Sequence, residues 1–185
     1  MKIRWLGNSC IEIFGSKHLV IDPNFKVPPE PDIDYILVTH EHADHFDMNC
    51  YKQIDAQLIA PRTTLDEYGL EGTEARAGEE IDGIRILESF CWKSKESCSY
   101  FVDGLLHSGD SARFPDVSGV RAVFTACFPS NYDDYISEFQ RLKPELVIPI
   151  HYDEEKKDNA IGLGERVRGA GMEFRLLEVG ETLNI

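Results

Sequence analysis

The chain opens on a strand-like, amphipathic pattern of apolar and polar positions broken by turn pairs. Residues 2–6, 10–14 and 18–21 read as short strands separated by Gly7-Asn8 and Gly15-Ser16, a β-meander without a helix. Asp22-Pro23 ends the third strand, and residues 23–33 carry four prolines with no periodicity, which predicts a loop. Tyr35-Ile36-Leu37-Val38 is an apolar run rich in strand-forming residues. Beyond it the pattern predicts a short helix over 48–54, a strand over 57–60 and a helix over 61–68 that opens on Pro61. The acidic, glycine-containing stretch 69–83 reads as loop. Strands follow at 84–88, on both sides of the Asp103-Gly104 turn within 99–106, at 121–125, at 146–150 and at 173–179. Residues 132–142 predict an amphipathic helix that stops before Pro144. Residues 160–170 predict a weaker one, interrupted by Gly162 and Gly164, with Gly171 near its stop. A strand-rich first half and an alternating second half fit an α/β (α+β) chain of two packed sheets with outer helices.

Chemistry concentrates where the fourth apolar run ends. Thr39-His40-Glu41-His42-Ala43-Asp44-His45 places His40, His42, Asp44 and His45 within six residues at a strand end. In an extended backbone His40 and His42 point the same way, because side chains alternate with period two. Asp44 and His45 are adjacent and can turn toward a second point. Neutral imidazole suits zinc and other transition metals, and a carboxylate adds charge and oxygen ligation. Two further apolar strands end in potential ligands, 104–106 before Asp110 and 146–150 before His151. A rigid sheet with ligands at its strand ends is a common way to build a site.

The segment from His40 to His45 resembles the metal-binding signature of the metallo-β-lactamase fold superfamily, and the resemblance runs nearly the whole chain. Trp5-Leu6-Gly7-Asn8-Ser9-Cys10-Ile11-Glu12-Ile13, Leu19-Val20-Ile21-Asp22-Pro23, Leu106-His107-Ser108-Gly109-Asp110-Ser111 and Val147-Ile148-Pro149-Ile150-His151-Tyr152 are similar to its short branch of L-ascorbate-6-phosphate lactonase-like metal-dependent hydrolases. The resemblance implies an αββα sandwich. It implies that His40 and His42 serve a first metal, that Asp44, His45 and His151 serve a second, and that Asp110 bridges the two. It also implies that Asp22 hydrogen-bonds a ligand histidine and fixes its tautomer, although an aspartate before proline can equally be a turn former. His107 reads as a buried, hydrogen-bonded histidine rather than a ligand.

The chain departs from the family at one corner. The third histidine of the first metal is absent, for residues 46–106 contain none. Cys91 could replace it as a thiolate, and Glu88 or Glu96 as an oxygen ligand favouring manganese. The sequence favours an incomplete first site, because Cys91 is one of five cysteines without metal-binding spacing. On that count the first metal is held more weakly than the second.

Length and charge narrow the function. A chain of 185 residues is most simply one domain, 1–185, with room for a sizeable core. A net charge of −14, from 33 acidic and 19 basic residues, repels polyphosphate backbones, so nucleic acid is an unpromising partner. No apolar run reaches membrane-spanning length, no leader pattern follows Met1, and cysteines without framework spacing suit a reducing compartment, so a cytoplasmic protein is expected. The expected activity is metal-dependent hydrolysis of a small lactone, ester or phosphate ester. One or two divalent ions, zinc or else manganese, would activate a water that Asp44 orients and deprotonates. A phosphodiesterase, or a non-catalytic binder of metal or metabolite, stays open as an alternative. So does a homo-oligomer.

Overall fold

A computed structural model describes all 185 residues. The first half supplies β1 (Lys2–Gly7), β2 (Cys10–Phe14), β3 (His18–Ile21), β4 (Tyr35–Leu37), α1 (Met48–Tyr51), β5 (Gln57–Ala60), α2 (Arg62–Tyr68), β6 (Thr73–Glu74), β7 (Glu80–Ile81) and β8 (Ile84–Glu88). The second supplies β9 (Cys98–Val102), β10 (Leu105–His107), β11 (Ala122–Thr125), α3 (Tyr132–Leu142), β12 (Leu146–Pro149), α4 (Lys157–Gly169) and β13 (Thr182–Asn184). A 3₁₀ turn, Pro129–Asn131, precedes α3. The strands form a seven-stranded sheet, β13-β1-β2-β3-β4-β5-β6, and a six-stranded sheet, β12-β11-β10-β9-β8-β7.

The alternation along each strand decides which face packs where. Ile11, Ile13, Leu19, Ile21, Leu37 and Ile59 of the first sheet join Ile86, Tyr100, Leu106 and Val123 of the second in one core of 34 buried residues. Their neighbours Ile36, Val38, Leu58 and Ala60 point to the other face of the first sheet, where they pack with Phe46 and with Leu65 of α2. Tyr135 and Phe139 of α3 and Leu163 and Val167 of α4 join the main core. The arrangement is the αββα sandwich, two mixed sheets with outer helices. No helix is long and apolar enough to cross a membrane.

Within each sheet a parallel stretch follows an antiparallel one. β3, β4 and β5 pair in parallel, as do β10, β11 and β12. Loops leaving the carboxyl ends of such strands gather at one edge, which is where open α/β sheets bind ligands. The turn joining β9 to β10 needs positive φ at both central residues, and Asp103 (φ 50°) and Gly104 (φ 83°) supply it.

The structure corrects the sequence reading in five places. Residues 173–179 form no strand, because only Phe174 pairs, as an isolated bridge to Val147. The last strand is β13, three residues at the edge of the first sheet, held by β1 and carrying too little apolar pattern to announce itself. Stretch 69–83 is not all loop, since β6 and β7 cap one edge of each sheet with two residues apiece. The helix expected over 48–54 is only Met48–Tyr51, and α4 starts at Lys157 rather than at residue 160.

Candidate metal centre

Five loops at this edge carry the polar side chains. Asp22 follows β3, the 39–45 segment follows β4, Cys91 lies between β8 and β9, Asp110 follows β10 and His151 follows β12. The 39–45 segment leaves its strand and folds into a turn, with the Phe46 amide bonded to His42 O and the Asp47 amide to Pro23 O. Phe46 is buried and packs its ring against Tyr68 at 4.5 Å, which anchors the turn.

These loops bring donors together as two groups. His40, His42, Cys91 and Asp110 form one and Asp44, His45 and His151 the other, with the donor atoms of each group within 4.8 Å of one another. In the first, Cys91 Sγ lies 3.4 Å from His40 Nε2, 3.7 Å from His42 Nδ1 and 3.7 Å from Asp110 Oδ2. In the second, His151 Nε2 lies 2.9 Å from Asp44 Oδ2. Asp110 stands between them. Its Oδ1 is 2.9 Å from His45 Nε2 and 3.5 Å from His151 Nε2, while its Oδ2 is 3.7 Å from His40 Nε2.

The donors fit a divalent ion. A tetrahedral ion with bonds of about 2.0–2.1 Å to nitrogen and 2.3 Å to sulfur sets its donors about 3.3–3.6 Å apart, close to the separations around Cys91. His151 Nε2 is buried and close to two carboxylates, yet it has no aligned hydrogen-bond partner. An imidazole lone pair aimed at a shared point has that geometry.

Behind the donors runs a chain of hydrogen bonds. The Thr39 hydroxyl donates to Asp22 Oδ2 at 2.8 Å, and His45 Nδ1 lies 2.7 Å from the same oxygen. His40 Nδ1 is 2.9 Å from the Thr39 oxygen. With the hydroxyl proton committed to Asp22, His40 must donate from Nδ1, so His40 and His45 both keep Nε2 facing the donor groups. The Thr39 amide also donates to Asp22 Oδ1 at 2.7 Å. Asp22 adopts φ 54°, a left-handed conformation that aspartate tolerates better than most residues.

The local electrostatics follow from this crowding. Burial and the neighbouring His45 push the His40 pKa down to about 3, which keeps its ring neutral. Burial alone would lower His45 too, but Asp110 and Asp22 on either side lift it to about 10. Burial would raise Asp110, and the surrounding histidines, His45 first, overcome this and hold it below the usual carboxylate range. The His151 contact does the same for the more exposed Asp44. Burial and then Asp110 push the Cys91 thiol up to about 12.

Every site residue expected from sequence lies at this edge. The structure brings Cys91, from the stretch that lacks a histidine, together with His40, His42 and Asp110. Glu88 is exposed, and Glu96 accepts the Thr63 amide at 2.9 Å, so neither joins the group. His107 stands behind, donating from Nε2 to Ser9 O at 3.2 Å and accepting the Gly109 amide at Nδ1.

Two residues escaped sequence reasoning. Thr39 links the two histidines. Glu41, buried between His40 and His42, accepts from the Ser94 hydroxyl at 2.8 Å and the Lys95 amide at 2.9 Å, and so ties down the loop that carries Cys91. The period-two argument already turns Glu41 away from the two histidines, but nothing local shows what it meets.

Residues 2–151 match the beta-lactamase superfamily domain. The UPF0173 protein of Pyrococcus furiosus is 30% identical over 82% of this chain and 83% of its own length. The UPF0173 metal-dependent hydrolase of Methanoculleus marisnigri is 26% identical over 83% of this chain and 81% of its own. The chain therefore belongs to the beta-lactamase superfamily and, within it, to the UPF0173 family. Among solved structures, the metallo-beta-lactamase fold protein YhfI from Bacillus subtilis superimposes with a TM-score of 0.72 at 14% identity, over 98% of each chain. An isothiocyanate hydrolase from Delia radicum gut bacteria gives 0.63 at 13% identity, over 100% of this chain and 99% of its own. These two likenesses concern the fold.

Proposed function

We propose that the chain is a metal-dependent hydrolase acting on a small ester, lactone or phosphate ester. One ion would be held by His40, His42, Cys91 and Asp110, the other by Asp44, His45, His151 and Asp110. The observation that carries the reading is Asp110, whose two oxygens face different donor groups, an arrangement that suits a carboxylate shared by two ions. The name of the curated relatives supports metal dependence and hydrolysis. The substrate class rests on the sequence resemblance.

When bound, the ions supply an acidified water and positive charge for a developing oxyanion. The chain's own residues do the rest. Asp44 has the most exposed of the donor carboxylates, its side chain 53% accessible beside His151. It borders a cavity of ≈ 310 Å³ that Asn8, Asn24 and Lys156 also line. From there it orients a water and takes its proton. Asp22 and Thr39 hold His40 and His45 so that neither ring can turn away. A donor set containing thiolate favours zinc over manganese. Five unpaired cysteines support a reducing, cytoplasmic setting.

The test is elemental analysis of purified protein together with a hydrolysis panel of lactones, carboxylic esters and phosphate esters. Asp110→Asn should lower both metal content and turnover. A variant with full metal and full turnover would remove Asp110 from the site, and metal-replete protein inert across the whole panel would overturn the hydrolase reading.

A further inference from the structure

Four large apolar side chains stand exposed on this molecule: Phe90 (60%), Trp92 (81%), Ile161 and Val179. The two aromatic ones flank Cys91. An aromatic ring left in water contributes nothing to a core, and apolar groups clustered at a surface mark places where something binds.

The loop that carries these rings is fixed. The Ser89 hydroxyl donates to Ser108 O at 3.2 Å and the Phe90 amide to Ser111 Oγ at 3.3 Å, on either side of the Gly109-Asp110 turn. Further along, Ser94 and Lys95 are held by Glu41. The rings are thereby tied to both halves of the first donor group. A cavity of ≈ 420 Å³ adjoins them, bounded by Phe90, Cys91 and Trp92 and by the charged Lys95 and Glu96, with serines between.

Each ring has a cation beside it. Lys93 Nζ stands 4.1 Å from the Trp92 ring centroid, and the Arg113 guanidinium 5.5 Å from that of Phe90. Positive charge at one lip of a chain with net charge −14 gives that lip its own preference. Lys93 holds φ 68°, a conformation that costs a lysine more than a glycine, and it places an ammonium beside the indole.

We propose that Phe90 and Trp92, with Lys93 and Arg113, bind an aromatic portion of the substrate that carries a carboxylate or phosphate. The ring stacks on the exposed faces of Trp92 and Phe90 while the anionic group meets the two cations. The substrate class narrows to esters or phosphate esters with an aryl group. This rests on the reading of the adjoining donor groups as the hydrolytic site.

The test compares phenyl phosphate with methyl phosphate on metal-loaded protein. The pair shares a charge and differs in the ring. Calorimetry should show phenyl phosphate bound about tenfold more tightly, about 1.4 kcal/mol. The chain has two tryptophans, and Trp5 is buried against Tyr152. Phenyl phosphate should therefore also shield the exposed Trp92 from acrylamide quenching. The double variant Phe90→Ala/Trp92→Ala removes no buried side chain and should keep its metal, while the preference falls to about twofold. Equal affinities for the two phosphates, or a preference that survives the double variant, would overturn the proposal and leave the metal reading standing. Protein that takes up no metal would overturn both.

Discussion

Asp22 and Thr39 are joined twice, backbone amide to Oδ1 at 2.7 Å and hydroxyl to Oδ2 at 2.8 Å. The second contact matters most, because Oδ2 also takes the His45 Nδ1 proton. One buried carboxylate, reaching His40 through Thr39, thereby holds the Nδ1 proton of a histidine in each donor group.

Asp22→Asn keeps the shape but not the acceptor. An amide can still take the Thr39 N–H with its oxygen, and then turns an NH₂ toward two donors. Metal affinity should fall about 10- to 100-fold, the usual cost of losing a group that orients a ligand histidine. Competition against a chromophoric chelator measures it. Affinity equal to the parent protein's would mean that Asp22 only shapes the turn before Pro23.

Gly109 precedes Asp110 at φ 57°, and a Cβ there would sit 3.2 Å from Thr39 Cβ and Oγ1. Gly109→Ala faces a left-handed backbone costing about 1–2 kcal/mol, with little room beside it. Stability should drop by that order in a denaturant melt. Because the neighbour that must yield is Thr39, metal content should drop as well. A variant that melts early yet retains full metal would show that the strain is absorbed without moving the hydrogen-bond chain.

What the sequence could reveal follows from how locally each feature is determined. His40, His42, Asp44 and His45 sit in one contiguous motif at the end of an apolar run, and Asp110 and His151 each follow another such run. These were legible. Cys91 was legible only as one candidate beside Glu88 and Glu96, because its place depends on Glu41 holding Ser94 and Lys95, more than fifty positions away in the chain. The fold shows the same division. The meander of β1 to β3 has strong punctuation, and two of its three strands begin and end where expected. β13 has three residues, none fully buried, and exists because β1 offers it a free edge.

Tyr100 is fully buried, and its hydroxyl reaches from the second sheet to the first, donating to Val38 O at 2.9 Å with Ile59 O at 3.2 Å. Tyr100→Phe keeps the packing and deprives Val38, one residue before Thr39, of its strongest donor from the other sheet. A buried carbonyl left without its partner costs about 1–3 kcal/mol. For a chain of this size that lowers Tm by about 2–4 °C per kcal/mol. A thermal melt on metal-free protein isolates the effect, and an unchanged Tm would show that another donor takes over.

The two donor groups also differ in how they will release metal. Counting ligands from sequence makes the first metal the weaker, with two histidines and a shared aspartate. On the proposed assignment Cys91 removes that deficit, and with Asp110 shared each group has four protein donors. Accessibility then separates them. The first group rests on fully buried His40 and on Cys91, whose loop is tied down through Glu41. The second includes Asp44, whose side chain is 53% exposed and the easiest donor for a chelator to displace. Gentle chelation should therefore strip the Asp44 side first, the reverse of the order that ligand counting from sequence gives. Cobalt-substituted protein makes the order visible, because a thiolate ligand adds a sulfur-to-metal charge-transfer band. That band should survive removal of the first equivalent and vanish with the second, and Cys91→Ser should lack it from the start. A band lost with the first equivalent would restore the opposite order, and a band that persists in Cys91→Ser would take Cys91 out of the site.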